Sequence, residues 1–148
     1  MAIRIAHTGQ RGQPRTLKTE ADLRLLTSIP PHPAYFDANR ASIWNEYAEL
    51  LIARGDLSQG DLAVLENFTC SLAEYREIGE QLAKSGRLVE TPKGLFANPL
   101  CNLRRQAEMQ MTVAAASLGL SPRGRAAMKR EAKADTSQPE ETKKASAF

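Results

Sequence analysis

Apolar residues return at helical intervals through two long stretches of this chain. From about Asp37 to Arg54, Ile43, Trp44, Tyr47, Leu50 and Leu51 fall on one side and predict a first helix. Asp37 stands where a cap belongs, and Gly55 follows the last turn, where a left-handed residue ends a helix. From about Gln59 to Lys84, Leu62, Leu65, Phe68, Leu72, Tyr75, Ile78 and Leu82 form a second stripe. That stripe is about seven turns long, roughly 39 Å at 1.5 Å per residue. The connection between the two, GDLSQGD, is short and places Ser58 three residues before Asp61, the spacing of a capping box. A connection this short folds the second helix back along the first. The expected centre of the fold is therefore a long antiparallel helical hairpin, with Trp44, Leu51, Leu65, Leu72 and Tyr75 in its core. Two helices cannot bury both faces of such a hairpin, so its uncovered face needs the rest of the chain or other copies of it.

The period changes after Ser85. Leu88-Val89 and Leu95-Phe96 flank Thr91-Pro92-Lys93-Gly94, which suits a two-stranded hairpin closed by a type I turn with a bulge. An irregular loop is the alternative. Asn98-Pro99 is a cap followed by proline at the first helical position, and Leu100, Leu103, Ala107, Met111, Ala114 and Leu118 continue as a third helical stripe, closed by Gly119. Ser121-Pro122 caps a fourth helix to about Lys133. Residues 1–30 lack a long apolar period and are expected to form a flexible basic arm, with a short helical turn near Glu20–Leu26. The segment IPPHP at 29–33 is stiff and extended, because each proline holds its predecessor out of the helical region. Residues 31–133 form the helical domain, and 134–148 are polar and mixed in charge, the composition of a disordered tail. The predicted class is mainly α: a helical hairpin, a small β-hairpin and two C-terminal helices between disordered termini.

Aromatic residues make up only 5% of the chain, so Leu and Ala must supply the core, which favours helices over sheets. No apolar run reaches the ~18 residues of a membrane span, and MAIRIAHTGQRGQPR lacks the apolar middle of a signal peptide. A cytoplasmic protein without membrane contact is expected. Cys70 and Cys101 lie far apart, with no ligand spacing, and read as two buried thiols. Neither a metal nor a cofactor is indicated. His7 in the arm and His32 among prolines are poorly held for a general base, and Glu66, Glu74, Glu77 and Glu80 read as the solvated face of the second helix. GQRGQPR lacks the glycine-lysine end of a phosphate loop. No enzyme is expected.

Charge is more informative than its net value of +3. Residues 1–30 carry net +3, residues 31–84 net −5 and residues 85–148 net +5, so an acidic middle separates two basic ends. Arg123, Arg125, Lys129, Arg130 and Lys133 crowd the fourth helix. Arg104 and Arg105 lie on the third, and Arg4, Arg11 and Arg15 on the arm. Such side chains neutralise phosphates and release counterions, which gives salt-sensitive affinity for DNA. A solvated basic face is the competing interpretation. The fourth helix carries no aromatic residue for base stacking, which argues against single strands.

The block NPL at 98–100, then a helix, then LGLSPRGR at 118–125, resembles the C-terminal signature of one family of phage terminase small subunits. In that family an Asn-Pro pair opens a helix that ends in Leu-Gly-Leu-Ser/Thr-Pro, with an arginine three residues after the proline. Here these are Asn98, Pro99, Leu118, Gly119, Leu120, Ser121, Pro122 and Arg125. Trp44, the GDLSQGD connection with Asp61 at its end, and Tyr75 within a long second helix are also similar, so the likeness covers about residues 30–130. The arm has no matching signature. The resemblance implies a non-enzymatic subunit that assembles into a homo-oligomeric ring, holds double-stranded viral DNA and brings in the large ATPase and nuclease subunit. It implies action in the host cytoplasm rather than in the mature virion. Arg123, Arg125, Lys129 and Arg130, with Arg104, Arg105, Arg11 and Arg15, are then the candidate DNA contacts. Trp44, Leu51, Leu65, Leu72 and Tyr75 are the candidates for the core and part of the ring interface.

Two other classes remain open from sequence. A dimeric helical regulator could use the connection at 55–60 as a helix-turn-helix, although its second helix would offer acid to a polyanion. A protein–protein adaptor could turn its basic ends toward acidic partners.

Overall fold

The structure, a computed structural model, describes residues 24–136, with side chains described through Arg130. Most of the expected arm, with Arg4, Arg11 and Arg15, and nearly all of the expected tail lie outside the described residues. Helix α1 spans Ala38–Ala53, and a single 3-10 turn at Gln59–Asp61 leads into α2, Leu62–Ser85. Strands β1, Leu88–Thr91, and β2, Gly94–Ala97, precede α3, Leu100–Ser117, and α4, Pro122–Thr136.

Local chemistry sets these boundaries. The Asp37 carboxylate accepts the Arg40 backbone N–H at 2.8 Å and starts α1. After α1, Gly55 turns the chain at φ 68°. The Asp61 carboxylate reaches back to the Ser58 backbone N–H at 3.0 Å, completing the capping box. This closure tightens the first turn, so the α-helix proper starts at Leu62 rather than Gln59. The helical turn expected near Glu20–Leu26 is absent from its described part. Leu26 N–H instead donates to Leu57 O at 2.8 Å, and Gln59 N–H to Arg24 O at 3.3 Å. These bonds hold residues 24–26 extended beside the α1–α2 connection, with Leu25 bridged to Ser58.

α1 and α2 run antiparallel, as Arg40 beside Glu77 and Tyr47 beside Phe68 show. The partner that the hairpin lacked is α3, which returns along the other side of α2 and packs against it most extensively. The core thus has three contributors. Trp44, Ala48 and Leu51 come from α1, Leu65, Phe68 and Leu72 from α2, and Ala114 and Leu118 from α3, joined by Leu57 and Phe36. Trp44 is 2% exposed and donates its indole N–H to Pro30 O at 2.9 Å. Phe36 meets its ring edge-on at 5.8 Å, so the proline segment is fastened to α1 by one aromatic residue.

The strands pair antiparallel, Leu88 with Ala97 through Thr91 with Gly94. The pairing is continuous and carries no bulge, in contrast to the sequence expectation: Thr91 faces Gly94 directly across the two-residue Pro92-Lys93 loop, and Gly94 takes φ 118°. Among the described residues nothing covers the apolar side chains of this hairpin: Leu88, Val89, Leu95 and Phe96 are all exposed. Beneath it, the buried side chain of Asn98 joins two helix ends. Its Nδ2 donates to Gly86 O at 2.8 Å and Ser85 Oγ at 3.0 Å, and its Oδ1 accepts the Leu100 N–H at 3.1 Å.

Asn98→Leu should therefore destabilise the protein by about 2–3 kcal/mol, since it leaves several polar groups unpaired near the end of α2 and the start of α3. Urea unfolding followed by circular dichroism measures this, and a change within 0.5 kcal/mol, roughly that of a surface substitution, would show that the clasp is dispensable. Acid tests Asp37. The Arg40 N–H, then the Arg40 charge, hold its carboxyl below the ordinary 3.8. Its contribution is thus complete above about pH 4 and fades as pH falls through the lowered value. The melting temperature of Asp37→Asn should lag the wild type at neutral pH and converge with it in acid.

Candidate nucleic-acid interface

The joint between α3 and α4 is built from backbone geometry. Gly119, at φ 63°, lets its N–H reach Ala116 O at 3.1 Å, while the Leu120 N–H reaches Ala115 O at 2.8 Å. Together these bonds form a Schellman ending, which pairs carbonyls that a helix terminus otherwise leaves open. Ser121 Oγ accepts the Gly124 N–H at 3.0 Å, and Pro122 follows as the first helical residue. Two glycines then allow close approach. A Cβ on Gly119 would fall 2.4 Å from Met128 Sδ, and one on Gly124 would fall 2.3 Å from Ala116 O. The start of α4 is thereby pressed onto the end of α3.

Gly124 and Met128 face inward, and the other side chains of α4 described through Arg130 face solvent. Arg123, Arg125, Lys129 and Arg130 are all exposed. At 100° per residue they do not form one row. Arg125 and Lys129 take one flank of the helix, Arg123 and Arg130 the other, with Ala126 between them. Arg125 also holds the joint, donating to Leu120 O at 3.1 Å. Its flank shares a cleft with Arg54 and Asp56, which pair with each other at 2.6 Å. Neither Arg54 nor Asp56 is in the sequence-based set, because their approach to α4 is a tertiary event. Arg123, Lys129 and Arg130 make no ion pair among the described residues. Lys133 also falls on α4.

Arg104 and Arg105 lie elsewhere, toward the start of α3. Arg104 lies over the half-buried ring of Tyr75, 4.4 Å from its centroid, and Arg105 is exposed beside it. Of the residues expected in the core, Trp44, Leu51, Leu65 and Leu72 are buried within the protomer, and Tyr75 is covered by Arg104. Two carboxylates of the acidic series are engaged inside the chain. Glu77 pairs with Arg40 at 3.3 Å, and Glu66 accepts the Tyr35 hydroxyl, a bond that raises the Tyr35 pKa. His32 stacks on Phe36 at 6.1 Å, with its ring nitrogen 3.0 Å from Pro33 O. Among the described residues no group of three or more His, Cys, Asp or Glu is placed to hold a metal, and no helix is long and apolar enough to cross a membrane.

A family model described as phage terminase, small subunit, matches residues 41–135, from the first turn of α1 to the last turn of α4. No curated protein and no solved structure matches the chain.

The joint makes an opposed-sign prediction. On an open helix surface Gly→Ala stabilises by about 1 kcal/mol. At Gly124 the added methyl meets the Ala116 backbone, and overpacking of this kind costs about 1–3 kcal/mol. Gly124→Ala should therefore lower the melting temperature and speed proteolysis of α4; a higher melting temperature would mean that α4 is not seated on Ala116.

Proposed function

Because this chain belongs to the phage terminase small-subunit family, with a role in packaging phage DNA in the host cell, we propose that it acts there as a non-catalytic subunit that grips double-stranded DNA through α4. The observation that carries this reading is the seating of α4. One face is fixed by Gly119, Gly124 and Met128, which leaves Arg123, Arg125, Lys129 and Arg130 projecting from a helix with a defined orientation. Phosphate contacts of this kind position a protein without reading sequence.

The proposal includes self-assembly into a ring. Trp44, Leu51, Leu65 and Leu72 are committed to the protomer core and leave little surface for a neighbour. Other surfaces are better suited. Leu88, Val89, Leu95 and Phe96 are exposed on the β-hairpin, and Met109 and Val113, at 63% and 68% exposure, share the outer face of α3 with Asn102, Gln106 and Gln110. That face of α3 is free of charge and is open to another copy of the same face or of the hairpin. Assembly would bring several copies of α4 to one duplex, so modest contacts per subunit would sum. Recruitment of the large subunit, and absence from the mature virion, complete the proposed role.

The triple reversal Arg123→Glu, Lys129→Glu and Arg130→Glu spares the joint residue Arg125. It should weaken duplex binding at least tenfold at low salt and reduce the slope of log affinity against log salt by about 2–3 per protomer engaged. Unchanged affinity at both low and high salt would reject α4 as the DNA surface. Light scattering separates a ring of many copies from a dimeric regulator. A dimer mass at micromolar concentration counts against the ring.

A further inference from the structure

A second basic site lies toward the far end of α3 from α4. Arg104 and Arg105 from α3, Arg87 from the lead into β1 and Tyr75 from α2 line one cleft, with Glu108 on the same wall. Three guanidinium groups thus border a space that holds one carboxylate. Arg104 is the ordered member. Its guanidinium lies over the Tyr75 ring at 4.4 Å and against Gly79, where a Cβ would come within 3.4 Å of it. A methyl at position 79 would touch that group at ordinary contact distance. Stacking fixes the plane of the guanidinium and leaves its N–H edge for an acceptor. No such acceptor comes from the described residues. Arg104 Nε is buried without a hydrogen-bond partner among the described residues. Neither Arg87, Arg104 nor Arg105 is within ion-pair distance of a carboxylate there, Glu108 included.

A half-buried, stacked guanidinium whose Nε has no acceptor among the described residues, flanked by two more cations, is the chemistry of an anion site. Several guanidinium forks around one space suit a tetrahedral oxyanion, whose oxygens accept from more than one direction, better than a single planar carboxylate. We propose that this cleft binds a backbone phosphate of DNA, with Arg104 held in position by Tyr75 and Gly79 and with Arg87 and Arg105 closing on the phosphate from either side. The proposal rests on the reading of the chain as a DNA-binding subunit and adds a second point of contact. Arg104 and Leu118 are separated by roughly 21 Å of helix at 1.5 Å per residue. The duplex would then be held at two places along α3 rather than by α4 alone.

The test is a duplex-binding titration of the full chain with a 30-base-pair DNA across a range of salt. Arg87→Gln with Arg105→Gln should reduce affinity about tenfold at low salt and lower the salt slope by about 1–2. Arg104→Lys conserves charge but loses the planar fork, and it should also weaken binding several-fold. Lys84→Gln with Lys93→Gln removes equal charge from outside the cleft and should have a clearly smaller effect. If the cleft variants bind like the lysine control while the α4 reversal abolishes binding, the cleft is not a DNA site and the α4 reading stands. If neither set alters binding, the DNA reading itself fails. A calorimetric arm with inorganic phosphate separates the remaining source. Phosphate binding that is lost in Arg104→Lys, with DNA binding intact, would make the cleft a site for a free anion and overturn the proposal.

Discussion

The carboxamide of Asn98 holds the two ends of the longest packed unit in the molecule. It binds the last turn of α2 through Ser85 and Gly86 and starts α3 through Leu100, so the helix that leaves the β-hairpin must return beside the one that entered it. Proline at position 99 adds a fixed φ to that start. The remaining helix packing depends on this alignment. α3 covers the side of α2 that α1 leaves open, Ala114 and Leu118 complete the core, and the end of α3 becomes the seat of α4. Arg104 meets Tyr75 for the same reason, since only an antiparallel return brings the first turns of α3 beside the second half of α2. A side chain near a turn thus sets the relation between both basic sites.

The chain separates its charges by use. The acidic middle reads as one solvated face in sequence, yet Glu66 and Glu77 are engaged with Tyr35 and Arg40, tying the segment before α1 and the start of α1 to α2. The basic residues of α3 and α4 have fewer internal obligations. Arg125 is a partial exception, because it braces the carbonyl of Leu120 while standing among the exposed cations. Carboxylates that secure the fold and cations that leave it largely unpaired give the surface a polarity that net charge does not express.

Local signals are legible in the sequence and distant ones are not. Asp37, the Ser58–Asp61 box, Asn98-Pro99, Gly119 and Ser121-Pro122 each act on a neighbouring backbone group, and the element boundaries follow them within a few residues. The apolar stripes identify Trp44, Leu51, Leu65 and Leu72, because burial on a helix repeats with its own period. Three features are hidden. The 24–26 segment carries no apolar period, and its extended form comes from backbone bonds to residues 57 and 59. Gly124 looks like an ordinary weak helix residue until Ala116 lies beneath it. The cleft of Arg87, Arg104 and Arg105 draws residues from separate elements, so no spacing rule gathers them. Arg104 and Arg105 group with α4 by charge in the sequence, whereas α3 holds them apart from it.

The seating of α4 on Ala116 also makes the helix a lever. It is 15 residues long, roughly 22 Å, and it is fastened at its first turns. From Gly124 to the last residue of the helix is roughly 18 Å, so a tilt of about 10° at that fulcrum displaces the end by about 3 Å, comparable to the 3.4 Å axial spacing of phosphates along one DNA strand. The stiffness of a contact between a glycine and a carbonyl therefore sets the aim of charges more than a turn away, and any motion of the end of α3 reaches them magnified.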